Sequence, residues 1–220
     1  LHDDIENIDD PELWRVYARG QTGVIHGLIY PKFKTIDIMP AIYPTCYGLD
    51  FGYNHKMALV EVAKNGKDLF WNEIIYQTEL TINDLIPLMK EEAISKKTKI
   101  WADHAAADKI EDLRRAGFNV GKADKDVKNG IDFVKRHNLW ITKKSKGLLS
   151  EVGMYKYKVK QHPITGESIT LDEPAKFKDD GVDAGRYGSY TGFRKDKSFK
   201  MAREETGEPD DLLDSLDQAA

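Results

Sequence analysis

Three aspartates carry the chemistry on offer in this sequence: Asp50, Asp103 and Asp183. Asp50 closes the run Cys46-Tyr47-Gly48-Leu49, Asp103 closes Ile100-Trp101-Ala102, and Asp183 follows Asp179-Asp180-Gly181-Val182. A carboxylate at a strand end is ionised at neutral pH, and burying it is costly unless a cation or hydrogen bonds compensate. Each aspartate also has an ordinary reading: Asp50 as a turn residue, Asp103 as a helix N-cap, Asp183 as a first-turn acid complementing a helix dipole. Brought together, the three would repel unless divalent cations stood between them, and hard oxygen donors suit Mg²⁺ or Mn²⁺. Two such ions about 4 Å apart can hold a phosphodiester, activate a water and stabilise the leaving oxygen.

The elements that must position these groups follow from periodicity and turn chemistry. Strands are predicted over Thr45–Phe51, Lys56–Ala63 and Asp68–Gln77, the last two joined at Asn65-Gly66, which makes an antiparallel meander. Helices are predicted over Thr81–Ser95, Ala105–Ala116, Val127–Arg136 and Ser145–Tyr155, alternating with short strands at Lys99–Asp103, Phe118–Val120 and Leu139–Ile141. A second hairpin is expected from Lys156 to Leu171, turning at Thr165-Gly166, and a last helix opens at Asp179. The fold class is α/β, a mixed sheet with a three-strand antiparallel meander plus parallel strands, flanked by helices and carrying an inserted β-hairpin. If the first and fourth strands are neighbours, Asp50 and Asp103 protrude side by side, where open α/β sheets bind ligands. Residues 1–40 read as a leading segment, 41–192 as the folded domain and 193–220 as an acidic tail, with seven acidic and no basic residues between Glu204 and Asp217.

Composition narrows the classes. The chain has 220 residues, 40% hydrophobic and 32% charged, enough for one sizeable core. A formal net charge of -4 gives no overall basic signature, so contact with nucleic acid would have to be local. The single cysteine, Cys46, excludes an internal disulfide and favours an intracellular setting. No apolar run reaches membrane-spanning length.

Local basic stretches do exist. From Lys122 to Lys146 there are eight Lys/Arg against three Asp, including Lys122, Lys125, Lys128, Lys143 and Lys144. Lys156, Lys158 and Lys160 form an alternating row expected on one exposed face of the second hairpin. These eight lysines are the candidate phosphate contacts for duplex DNA, with ordinary solvated surface as the other reading. Tyr155 and Tyr157 are expected to pack rather than to stack on bases. His55 and His104, beside two of the aspartates, are expected to be structural or surface residues.

The sequence resembles the C-terminal nuclease domain of the large subunit of tailed-phage and prophage terminases, the DNA-packaging motor. The resemblance rests on Tyr47-Gly-Leu-Asp50-Phe-Gly-Tyr53, on Trp101-Ala-Asp103 with Ile110-Glu-Asp-Leu-Arg-Arg-Ala-Gly-Phe118, on Lys128-Asn-Gly-Ile-Asp-Phe133 and on Asp183-Ala-Gly-Arg-Tyr187, and covers about Pro40 to Tyr190. It implies an RNase H-like fold, metal-ligand and catalytic roles for Asp50, Asp103 and Asp183, two Mg²⁺ or Mn²⁺ ions, and cleavage of concatemeric double-stranded DNA in the host-cell cytoplasm. It also implies partnership with an ATPase domain of the same full-length protein, with the portal and with the small terminase subunit. Residues 1–40 resemble the link that follows the ATPase domain, and no Gly-rich Lys-Ser/Thr phosphate loop occurs in the chain. Many relatives carry a His three residues before the last Asp; here that position is Asp180, a further candidate ligand. Two alternatives stand beside this expectation: a catalytically silent assembly module of the motor, and another RNase H-like nuclease such as a Holliday-junction resolvase.

Overall fold

The computed structural model describes residues 27–161 and 167–195. Nine strands lie in chain order at Lys34–Ile36 (β1), Thr45–Asp50 (β2), Met57–Asn65 (β3), Asp68–Gln77 (β4), Ile100–Ala102 (β5), Val120–Lys122 (β6), Asn138–Thr142 (β7), Tyr157–Gln161 (β8) and Ser168–Pro174 (β9). Five helices span Ile82–Glu91 (α1), Ala107–Arg115 (α2), Val127–Lys135 (α3), Lys146–Val152 (α4) and Asp180–Phe193 (α5).

Seven strands form one mixed sheet in the order β1-β7-β4-β3-β2-β5-β6. β3 pairs antiparallel with β2 and β4, and every other pairing in the sheet is parallel. Six strands therefore point one way, and their carboxyl ends share one edge. The β3–β4 turn uses Gly66 at φ 55°, where a side chain would be strained. Helices cover both faces. One apolar cluster joins Leu49, Leu59 and Ile100 to Leu85 and Met89 of α1 and Ile110 and Leu113 of α2. The other joins Val60, Val62 and Trp71 to Ile131 and Val134 of α3, Leu148 and Val152 of α4, and Val182 and Ala184 of α5. This is the expected α/β architecture, with the meander at its centre.

Part of the leading segment falls within the described residues. Within the leading segment assigned to residues 1–40, residues 27–36 are built into the domain: Ile29 and Tyr30 are buried, and β1 pairs in parallel with β7. A three-residue edge strand between Pro31 and Pro40 has too little apolar pattern to announce itself. Residues 1–26 and 196–220, and with them most of the leading segment and the acidic tail, lie outside the described residues.

The second hairpin is present as β8–β9, with its expected turn outside the described residues. It is tied to the segment before β1 by hydrogen bonds from Ile29 N to Tyr155 O and from Tyr157 N to Gly27 O. Its lysines do not form one exposed row: Lys156 is buried, Lys158 is partly buried against Glu173, and Lys160 is exposed. Lys156 precedes the strand, and a register shift between Tyr157 and Val159 breaks the period-two alternation on which the expectation rested. Tyr155 packs in the core as expected. Among the described residues no helix is long and apolar enough to cross a membrane.

Candidate metal centre

Strand alternation puts Cys46, Gly48 and Asp50 on the face of β2 that α5 covers, while Tyr47 and Leu49 face α1 and α2. β5 runs beside β2 with Leu49 opposite Ala102, and the Asp103 N–H donates to Leu49 O at 3.1 Å. That bond extends the ladder by one step, so Asp50 and Asp103 leave the same sheet edge from neighbouring strands. Asp183 comes from the first turn of α5, which crosses β2 at backbone contact.

The close crossing has a sequence cause. α5 carries glycines at 181, 185, 188 and 192, one face of the helix. A Cβ at Gly185 would lie 2.8 Å from the Trp71 ring, and one at Gly188 would lie 2.7 Å from Val62 and 3.0 Å from Gly48 N. Each helical glycine costs roughly 1 kcal/mol of helix propensity. That cost is offset here by burial of Trp71, whose Nε1 donates to Ser189 Oγ at 2.8 Å.

The carboxylates act on one another. Burial, and after it the negative charges of Asp183, Asp180, Asp103 and Asp179, pushes the Asp50 carboxyl up to about 8. Burial likewise lifts Asp179, to about 6, with Asp183 and Asp180 adding to it. Asp180 is also raised by burial, against the pull of His55 and of a hydrogen bond from the Lys56 backbone. Asp103 and Asp183 have cationic partners. Lys125 Nζ lies 2.9 Å from the Asp103 carboxylate, and Arg186 Nη2 lies 2.8 Å from Asp183 Oδ1. Asp103 Oδ1 also accepts from the Ala105 N–H at 2.8 Å, a local turn rather than a cap, since α2 starts after Ala106.

Among the described residues no three His, Cys, Asp or Glu side chains stand close enough to share one ion. The donor chemistry nevertheless fits hard divalent cations: every candidate ligand is a carboxylate oxygen, and Asp50 is surrounded by like charge.

Of the candidate phosphate-contacting lysines, Lys122 ends β6, Lys125 follows it, and Lys143 and Lys144 follow β7, all at the sheet edge that bears Asp50. Lys122 and Lys144 are exposed, and Lys143 pairs with Asp37 at 2.8 Å. Lys128 pairs with Asp172 of the hairpin. Sequence reasoning missed Arg194 and Lys195 past the end of α5; with Trp101, His104, Lys122 and Lys125 they line a cleft of about 640 Å³ beside Asp103. His104 is exposed there, with Nδ1 3.4 Å from Ala123 O. Also missed was Glu151, almost wholly buried. Burial pushes its carboxyl up to about 8, against hydrogen bonds from Tyr76 and from the backbone of Val182 and Gly181.

No family model and no curated protein sequence matches this chain. Solved structures do. The large terminase of the thermophilic bacteriophage D6E, bound to ATP-gamma-S, aligns at 22% identity and a TM-score of 0.60 over 82% of this chain and 49% of that one. This chain thus spans about half of that protein. The nuclease domain of the bacteriophage SPP1 large terminase, with bound Mn, aligns at 14% identity and a TM-score of 0.62 over 74% of this chain and 97% of the domain. The P22 large terminase nuclease domain aligns at 17% identity and a TM-score of 0.59, covering 78% and 95%. The sheet and its covering helices thus share the RNase H-like fold of large terminase nuclease domains.

Proposed function

We propose that this chain is the metal-dependent endonuclease module of a genome-packaging terminase large subunit, hydrolysing phosphodiester bonds of concatemeric double-stranded viral DNA. The observation that carries the reading is Asp50 and Asp103 leaving neighbouring strand ends beneath the first turn of α5, which carries Asp183. The SPP1 relative, solved with Mn, supports divalent metal as the cofactor class.

Asp50, Asp103 and Asp183 would hold two Mg²⁺ or Mn²⁺ ions, with Asp180 as a further ligand. Ions so held supply charge to polarise the scissile phosphate and to make a bound water nucleophilic. The chain's own residues do the rest. Lys125 and Arg186 balance Asp103 and Asp183, leaving Asp50 as the carboxylate most in need of a cation. Lys122, Lys143 and Lys144 flank the carboxylates at the strand ends and would position phosphates without reading bases. In the full protein, the partners proposed are an ATPase domain, the portal and the small terminase subunit.

The test is incubation of supercoiled plasmid with Mn²⁺ or Mg²⁺, with a chelator control and the Asp50→Asn variant beside the parent. Nicking and linearisation with little sequence preference, absent in the variant and the chelated sample, is the expected result. No cleavage with either metal would favour the silent assembly module, and a reproducible single cut on unrelated plasmids would contradict non-specific phosphate positioning.

A further inference from the structure

The first turn of α5 carries Asp180 and Asp183, yet the residue at its N-cap, Asp179, makes no side-chain capping bond. Two backbone donors of that turn are met from another element. Glu151 of α4 points its Oε2 at the Val182 N–H, 2.9 Å away, and also accepts from the Gly181 N–H. Its Oε1 accepts from Tyr76 Oη at 2.6 Å. Gly181 is fitted to this contact, since a Cβ there would lie 2.9 Å from Glu151 Oε2.

The same device recurs one element earlier. Glu73 of β4 accepts from the Leu148 N–H at 2.6 Å and from the Gly147 N–H, at the start of α4. A Cβ on Gly147 would lie 2.8 Å from Glu73 Oε2 and 2.4 Å from the Tyr76 ring. Leu59 pairs with Ile75 and Val60 with Glu73, so Ile74 is an extra residue in β4. That bulge lets Glu73 and Tyr76, three positions apart, face α4 together. A chain of carboxylate caps thus runs from the central sheet through α4 to α5.

We propose that Glu151 is a positioning residue for the metal centre, a cap supplied from α4 that fixes the first turn of α5 and thereby sets Asp183 and Asp180 against Asp50. Placing Asp183 at a metal centre rests on the nuclease reading given above. Glu151 touches neither substrate nor metal; it acts through the backbone of Gly181 and Val182. All three of its hydrogen bonds are donated to it, so a glutamine, whose amide oxygen still accepts, keeps the essential contacts.

The test compares the parent chain with Glu151→Ala, Glu151→Gln and Tyr76→Phe. Two readouts are used: amide hydrogen exchange without metal, and Mn²⁺ affinity by calorimetry. In Glu151→Ala the amides of Gly181 and Val182 are expected to exchange faster while those of β2–β4 stay protected. Mn²⁺ affinity should fall about tenfold, the usual scale for a partner one shell removed from a metal. Glu151→Gln should stay within about threefold of the parent, because the backbone bonds survive. Tyr76→Phe, which removes only a hydroxyl, should move Mn²⁺ affinity in the same direction by less, and it serves alone if Glu151→Ala does not fold. Parental Mn²⁺ affinity in Glu151→Ala, or in Tyr76→Phe where that variant stands alone, overturns the proposal, as does loss of protection spread evenly over the sheet. A parent that binds Mn²⁺ but cuts no plasmid sinks the nuclease reading while leaving these comparisons decisive; a parent that binds no Mn²⁺ sinks both.

Discussion

Gly48 and Ala184 meet backbone to backbone: a Cβ on Gly48 would lie 1.7 Å from the Ala184 carbonyl oxygen. Nothing larger than hydrogen fits between β2 and α5, two residues from Asp50 on one side and one from Asp183 on the other. Gly48→Ala must therefore push the helix off the strand. The expected cost is at or above roughly 3 kcal/mol, the upper end for overpacking, because the obstacle is backbone and cannot change rotamer. Urea unfolding and Mn²⁺ calorimetry should show lost stability and lost metal binding together. A Gly48→Ala protein with parental stability would falsify the close crossing.

Asp50→Asn should separate stability from activity. Asp50 ionises at 3.8 when unfolded and at about 8 in the folded chain. A raised folded-state pKa gives stability that is fully present below the unfolded value and is lost as pH rises through the folded one. Asparagine is neutral throughout. In the presence of chelator, the variant's stability relative to the parent should therefore climb across that window and level off above about 8. Urea midpoints that keep a constant difference from the parent over the whole range would show that Asp50 is not under such strain.

Metal binding should carry the opposite pH dependence. A cation needs Asp50 ionised, so binding releases its proton wherever the pH is below about 8. Apparent Mn²⁺ affinity should rise by up to about tenfold per pH unit in that range and flatten above it. Calorimetry in two buffers of different ionisation enthalpy counts the released proton directly, and a count near zero at neutral pH would refute the assignment.

The exposed lysines at the sheet edge can be tested without cleavage. In an Asp50→Asn background, Lys122→Ala with Lys144→Ala should lower the slope of log affinity against log salt on duplex DNA by roughly 2, near 0.9 for each phosphate contact. Lys158→Ala should change it less, because that ammonium already pairs with Glu173. An unchanged slope in the double variant would remove both lysines from the DNA path.

The sequence exposed most where local pattern and long-range structure agree. β4 runs over the expected residues, Asp68 to Gln77, because Asn65-Gly66 fixes the turn and the strand that follows is apolar. Asp50 and Asp103 were legible as strand-end carboxylates for the same reason. β1 was not, since a three-residue edge strand bonds on one side only. The alternation of Lys156, Lys158 and Lys160 misled because a register shift is invisible in residue types. Glu151 left no local trace: its partners Val182 and Tyr76 lie 31 and 75 positions away. The glycines of α5 did leave one, a stripe of the smallest residue along one helix face: Gly181 meets α4, and Gly185, Gly188 and Gly192 mark where the helix rests on the sheet.

Helix α5 is the last of the nine strands and five helices described, yet it packs on β2, near the beginning. A ribosome delivers the chain from its amino end. The sheet is therefore available well before the helix that brings Asp183, and Gly48 stays uncovered until that helix emerges. Until it does, Asp50 meets the charge of Asp103 on the neighbouring strand but not that of Asp179, Asp180 and Asp183, so the larger share of the repulsion does not yet burden the sheet. The carboxylate cluster is completed only when nearly all of the described domain has been made, and a chain truncated before α5 keeps Asp50 and Asp103 but lacks Asp180 and Asp183.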